Sequence, residues 1–220
     1  MYANYLKRFF DFLIALIALL VLSPILIVTA ILVRIKLGSP VIFKQERPGY
    51  QEKIFTLYKF RTMTNGTDAK GNLLPDEQRL THFGKFLRKT SIDELPEMFN
   101  ILIGDMAFIG PRPLLVEYLK LYTPEQHKRH NVRPGMACLS AIKGRNSLAW
   151  VERLELDVWY AEHVSFVLDA SIFLQTIKIV LMRKGSPDAV DSSRGTLEDA
   201  NKKLKNDKLF VKEALQVEDK

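Results

Sequence analysis

Residues 13–33, LIALIALLVLSPILIVTAILV, run without a single charge, and no other stretch restricts the fold of this chain as much. As a helix the run would extend about 32 Å, enough to cross the hydrocarbon core of a bilayer. A cleaved signal peptide would carry a shorter apolar run followed by a small-residue cleavage site, and this run fits neither requirement. Against a straight span stand Ser23 and Pro24 at its middle, because proline has no N–H to donate and breaks or kinks a helix. Each arm beside such a break reaches roughly 15 Å, only half of the way across. Lys7 and Arg8 precede the run, and Arg34, Lys36, Lys44 and Arg47 follow it, so the positive-inside rule gives no direction. A helix-break-helix that enters and leaves by one face satisfies both basic flanks. The expectation is a re-entrant segment over 1–37 with both ends in the cytoplasm.

The 220 residues leave room for one further domain of ordinary size. A net charge of +7 implies an anionic partner, which could be nucleic acid, a lipid surface or a phosphorylated substrate. Nucleic acid ranks last, because no zinc-finger, helix-turn-helix or stacking motif accompanies the basic residues. The single cysteine, Cys138, excludes an internal disulfide framework and a cysteine-based zinc site. His127 and His130, in EQHKRH, read as part of a solvated basic run.

Beyond the apolar run, VIF and IFTLYKF flank a turn-forming RPG and read as a strand pair. Residues 64–78 are polar and glycine-containing, hence a loop. From 79 the pattern is helical, and in SIDELPEMFNIL the spacing of Ile92, Leu95, Phe99 and Leu102 leaves Asp93, Glu97 and Asn100 on another face. Ser91 followed by Glu94 matches a capping box, and Pro96 just past the first turn predicts a distorted helix start. Residues 152–182 are again helical in pattern. Asp169 there favours a core or membrane-skimming helix over a second span. From 184 the chain is a polar tail with a charged helical stretch.

SIDELPEMFN sets Asp93 beside Glu94 soon after Arg88 and Lys89. Acidic residues at a helix start are common decoration, since they oppose the positive end of the dipole. The same setting suits phosphate chemistry. Free backbone donors and the dipole favour a phosphate group, and with Arg88 they would keep Asp93 ionised, as a nucleophilic carboxylate requires. Glu94 could hold Mg²⁺, which is usually bound by one or two carboxylates plus substrate phosphates. Arg112, held between prolines in GPRP, can present its planar fork to phosphate oxygens or pair with a core carboxylate. The residues permit phosphoryl transfer through an aspartyl-phosphate type of intermediate.

The order of LSP within the apolar run, IFKQERPG, YKFRTM, SIDELPEMFNILIGDMAFIGPRPLL, and RPG followed by GRN resembles the bacterial sugar transferases, the small monotopic phosphoglycosyl transferases. The likeness covers about residues 1–183. It implies a re-entrant membrane helix broken at Ser23 and Pro24, a compact cytosolic α-rich α/β catalytic domain over 38–183 with interfacial amphipathic helices, and a tail over 184–220. It implies a bacterial inner-membrane enzyme that moves a phosphosugar from a UDP-sugar to undecaprenyl phosphate, releases UMP and needs Mg²⁺. By resemblance Asp93 would be the nucleophile, Glu94 would bind Mg²⁺ beside Asp93, and Lys59, Arg88, Arg112, Arg133 and Arg145 would hold phosphate or substrate. Membrane lipid is a further partner, and an apolar interfacial surface is compatible with a homo-oligomer.

One stretch departs from the family pattern. Where RPGITGWAQVNGRN is usual, the chain reads RPGMACLSAIKGRN, with Ala137, Cys138, Ala141 and Lys143 in place of threonine, glycine, glutamine and asparagine. Losing the glutamine removes both a donor and an acceptor, which bears on donor recognition. The alternative from another class is a weakened, membrane-tethered homologue that organises glycosylation enzymes.

Overall fold

The computed structural model describes residues 2–144 and 148–182, together with Leu197, Asp199 and Asn201. The elements in chain order are α1 (Lys7–Leu37), β1 (Ile42–Pro48), β2 (Ile54–Phe60), α2 (Asp76–Arg79), α3 (His82–Thr90), α4 (Glu97–Ile103), β3 (Ala107–Ile109), α5 (Pro124–His127), β4 (Gly135–Ala137), α6 (Leu139–Lys143), α7 (Trp150–Glu162) and α8 (Phe166–Leu181). This is the α-rich α/β composition expected.

Among the described residues α1 is the one helix long and apolar enough to cross a membrane. Only 11 % of its most apolar 18-residue stretch is buried, so it is not the core helix of a soluble domain. The break expected at Ser23 and Pro24 is not found, because helix continues on both sides of Pro24. Pro24 leaves the Leu20 carbonyl without its usual donor four residues on, and the Ser23 hydroxyl donates to that carbonyl instead at 2.8 Å. A Ser-Pro pair thus repairs the ladder that proline alone would open.

Both ends of α1 are fastened to the rest of the chain. Near its start, Arg8 donates to the carbonyls of Ile101 (2.5 Å) and Leu102 (2.7 Å) at the C-terminal end of α4, the first of which also accepts the capping Gly104 N–H at 3.1 Å. Asp11 accepts the Phe108 N–H at 3.1 Å. Lys7 meets Asp169 of α8 at 2.5 Å in a buried pair, and the Tyr2 and Tyr160 hydroxyls complete the Asp169 carboxylate at 2.7 and 2.6 Å. Asp169 is thus the polar lock of α8, whose other face exposes Val167 and Leu174. At the far end, Val33 and Leu37 pack with Phe60 and Leu87.

The strands form two small sheets. β1 and β2 pair antiparallel, from Ile42 opposite Phe60 to Pro48 opposite Ile54, as the sequence predicts. The outer edge of β2 finds a substitute strand in one side chain. Asn100 accepts the Tyr58 N–H (3.1 Å) and donates to the Thr56 carbonyl (2.7 Å). The polar stripe of α4 therefore faces inward, with Glu97 and Asn100 buried, while Phe99 and Ile103 are exposed. β3 and β4 pair in parallel, Ala107 with Gly135 and Ile109 with Ala137. A Cβ on Gly135 would lie 2.0 Å from the Gly110 nitrogen, so the GPRP and RPG motifs touch and only glycine fits between them.

Candidate active site

Ser91 ends α3 in the left-handed region (φ 55°, ψ 19°), and its N–H returns to the Arg88 carbonyl at 3.1 Å. The chain then makes a single 3-10 turn, Ile92–Glu94, before Pro96 opens α4. The expected capping box is absent, because a left-handed Ser91 does not aim its hydroxyl at the following N–H groups. The distorted start expected from Pro96 is present. This kink turns Asp93 and Glu94 into a cavity of about 1050 Å³ that Lys59, Arg88 and Arg112 also line.

Asp93 is 8 % exposed, and its buried Oδ1 has no hydrogen-bond partner among the described residues. Burial pushes its carboxyl above the ordinary carboxylate range and Glu94 adds to this, while Lys59 and Arg88 oppose it. Arg88 favours the ionised form, as expected, but does not outweigh burial. One 3-10 turn carries little dipole, and Arg88 spends its Nε on Thr62 Oγ1 at 3.1 Å. Glu94 behaves oppositely. Burial alone would raise it, but Arg112 (2.9 Å) and Lys59 (2.7 Å) together hold it down at about 2. Glu97, behind Glu94, is pushed up to about 7 by burial, against the pull of Lys59 at 3.0 Å.

The Arg112 side chain is 52 % exposed, and a pair so open to water contributes at most about 1 kcal/mol. It can therefore exchange Glu94 for an incoming phosphate at little cost. Its backbone is held from below, where the buried Arg129 donates to the Arg112 carbonyl at 2.7 Å and pairs with Asp157 at 2.6 Å. EQHKRH is accordingly not a solvated run. Arg129 and His130 are buried because Asp157 and the Gly49 carbonyl meet them. Nothing local in the sequence announces this, since Asp157 lies 28 residues away on α7.

Of the residues implied by resemblance, Lys59, Arg88, Asp93, Glu94 and Arg112 come together and Arg133 does not. Arg133 donates to the Gly104 carbonyl at 2.8 Å and lies over the Tyr50 ring, where with Arg8 it neutralises the C-terminal end of α4. Arg145 lies outside the described residues, as does most of the tail. The atypical stretch folds as β4 and α6, and Ala137, Cys138, Ser140 and Ala141 line the cavity. Burial pushes the Cys138 thiol up, which disfavours the reactive thiolate. Glu97, Arg129 and Asp157 were not singled out by sequence reasoning.

No group of three or more metal-ligating side chains occurs among the described residues. Mg²⁺ needs no such cage, because substrate phosphates and water complete its shell. The partnerless Asp93 oxygen and the ionised Glu94 fit such a two-carboxylate donor set.

Residues 2–183 match the family described as bacterial sugar transferase. The chain belongs to this family. Among curated relatives of this bacterial sugar transferase, the uncharacterized sugar transferase EpsL of Bacillus subtilis (strain 168) is 53 % identical over 180 residues, covering 82 % of the chain and 89 % of EpsL. The undecaprenyl-phosphate galactose phosphotransferase of Salmonella typhimurium is 33 % identical over 84 % of the chain. The UDP-N-acetylgalactosamine-undecaprenyl-phosphate N-acetylgalactosaminephosphotransferase of Aeromonas hydrophila is 36 % identical over 83 % of it. The chain spans less than half of these last two, 42 % and 45 % of their lengths.

Proposed function

We propose that this bacterial sugar transferase moves a sugar 1-phosphate from a UDP-sugar to undecaprenyl phosphate and releases UMP, as the first membrane step of glycoconjugate assembly. The observation that carries this reading is the partnerless Asp93 oxygen, set in a cavity whose cations, Lys59, Arg88 and Arg112, suit a diphosphate. Names of relatives that act with undecaprenyl phosphate support it. In the first step an Asp93 oxygen attacks the sugar-linked phosphorus. The bond from that phosphorus to the bridging oxygen breaks, UMP leaves, and the sugar phosphate remains as an acyl phosphate on Asp93. In the second step an oxygen of the polyprenyl phosphate attacks the same phosphorus, which frees Asp93 and forms a polyprenyl diphosphate sugar.

Glu94, with Asp93, would hold Mg²⁺, which when bound neutralises phosphate charge. Lys59 and Arg112 bind the phosphates, and burial around Asp93 keeps hydrolytic water from the acyl phosphate. An apolar groove of about 530 Å³ between α1, β2 and α4 shares Phe60 with the cavity and suits the prenyl chain of the acceptor. With both ends of α1 tied to one body, we place the protein as a monotopic enzyme of the inner membrane, its catalytic domain facing the cytoplasm.

The test is UMP release from a panel of UDP-sugars with Mg²⁺ and undecaprenyl phosphate. Wild-type protein incubated with its donor alone is expected to gain the mass of one sugar phosphate, and Asp93→Asn neither gains it nor releases UMP. Folded, membrane-inserted protein that releases no UMP from any donor would leave the scaffold alternative standing.

A further inference from the structure

Three carboxylates follow Ser91 within six residues, and the cavity reaches only two of them. Asp93 and Glu94 line it, whereas Glu97 stands behind at 3 % exposure. The Lys59 ammonium joins the two layers, 2.7 Å from Glu94 Oε1 and 3.0 Å from Glu97 Oε1. An ammonium has three N–H donors, and two are used here. We propose that Glu97 is a positioning residue, which anchors Lys59 from behind so that its remaining N–H stays turned toward the sugar-linked phosphate of the donor. This rests on the phosphosugar-transfer reading given above.

Lysine alone is poorly suited to such a task, being a strongly hydrated charge on a flexible four-carbon stem. Its other partner is not fixed either. Glu94 Oε1 is shared with Arg112, and an incoming phosphate competes for both cations. Glu97 alone lies beyond the reach of a ligand in the cavity, so it keeps its hold while the front of the site exchanges partners.

The anchor is also rigidly placed. Lys59 is a residue of β2 paired opposite Phe43, and Glu97 is the first residue of α4, directly after Pro96. One turn further along, Asn100 ties α4 to β2 through its two hydrogen bonds. The distance between the two backbones is thus set by regular elements, as a preorganised site requires.

Two conservative substitutions separate anchoring from charge. Glu97→Gln keeps the reach and an acceptor oxygen but loses the charge, whereas Glu97→Asp keeps the charge and falls one methylene short. Anchoring predicts that Glu97→Gln stays within about threefold of wild type in kcat/KM for UMP release, and that Glu97→Asp falls roughly ten- to a hundredfold, the cost of a misplaced contact. In a Lys59→Ala background the Glu97→Asp loss should shrink to about twofold or less, because the coupling runs through the ammonium.

The same order, glutamine above aspartate, is expected in the affinity for UDP, measured by calorimetry on the full chain in detergent. A wild type that binds UDP but never releases UMP would count against the transferase reading, while the order of UDP affinities would still decide the role of Glu97. The reverse order, or losses that multiply undiminished in the Lys59→Ala background, would overturn the proposal. So would a wild type that binds no UDP.

Discussion

Asp93 and Glu94 are adjacent in the chain and similar in chemistry, yet their surroundings push them in opposite directions. Burial leaves Asp93 raised with an orphaned oxygen, and two cations hold Glu94 ionised. Paired carboxylates separated in this way take different roles, and the proposed mechanism asks for such a split, an attacking group at Asp93 beside a fixed negative charge at Glu94. Another buried group near the site gives a pH prediction. His130 is 5 % exposed, its Nε2 has no partner among the described residues, and burial together with Arg129 lowers it to about 4. The unfolded chain, with an ordinary histidine near 6.5, binds the proton more readily than the folded one. Stability present above pH 6.5 is therefore lost as pH falls from there toward 4. The loss should be on the order of 2 kcal/mol, discounted for the part of the ring that water reaches. Unfolding followed by tryptophan fluorescence at pH 7 and pH 5 is expected to show this dependence in wild type. The contribution is isolated by comparison, because Glu97 titrates in the same window. Relative to His130→Asn, wild type should lose about that much more stability between pH 7 and pH 5, and equal slopes for the two proteins would refute it.

At the scale of elements, the seam between β2 and α4 carries the site. Asn100 is fully buried and pairs two backbone groups on the edge of β2. Asn100→Ala leaves both unpaired, at a cost of about 2–3 kcal/mol. A fall in denaturation midpoint of matching size should accompany reduced UMP release, because Lys59 is the next residue after Tyr58. A fully stable Asn100→Ala protein would show that water replaces the amide. This seam explains what the sequence disclosed and what it hid. Long patterns were legible. The uncharged run became α1, VIF and IFTLYKF became a hairpin around RPG, and the apolar stretch with Asp169 became α8. The strands AFI and GMA, three residues each, are too short for any period to register, and their pairing depends on Gly110 meeting Gly135. Pro24 suggested a break because proline removes a donor, but a hydroxyl one residue earlier restores one. EQHKRH suggested solvent because charge usually means exposure, and the partner that buries Arg129 lies on a different helix. Asp93, Glu94, Arg112, Lys59 and Arg88, named from the motifs and the resemblance, line one cavity, whereas Glu97 was noted only as sharing a helix face. Its burial depends on Lys59, 38 residues earlier in the chain.

For the whole molecule, the decisive fact is that both ends of the apolar helix rest on one body. A straight helix of 31 residues extends about 46 Å, and one set across a bilayer would place its ends on opposite sides. Here Lys7, Arg8 and Asp11 bind α8, α4 and β3, while Val33 and Leu37 pack on Phe60 and Leu87. Carrying the first end through the membrane would break the buried pair of Lys7 with Asp169 and strand an uncompensated charge. That loss is about 3–5 kcal/mol before any other contact is counted. The helix also keeps most of its apolar surface away from the chain, and α8 exposes Phe166, Val167, Phe173 and Leu174. Lipid is the medium that suits such surfaces, so α1 is expected to sit in one leaflet with both ends on the same side of the membrane. The native thiol simplifies the test, since Cys138 is the only cysteine and is buried. Single cysteines at Ala3, Lys36 and Lys120, all exposed, mark the start of the helix, its end and the catalytic domain. A membrane-impermeant maleimide applied to intact spheroplasts is expected to label none of the three, and applied to inverted vesicles to label all three. Labelling at position 3 from outside, with 36 and 120 protected, would instead make α1 a transmembrane span and require the Lys7–Asp169 pair to be broken in the membrane.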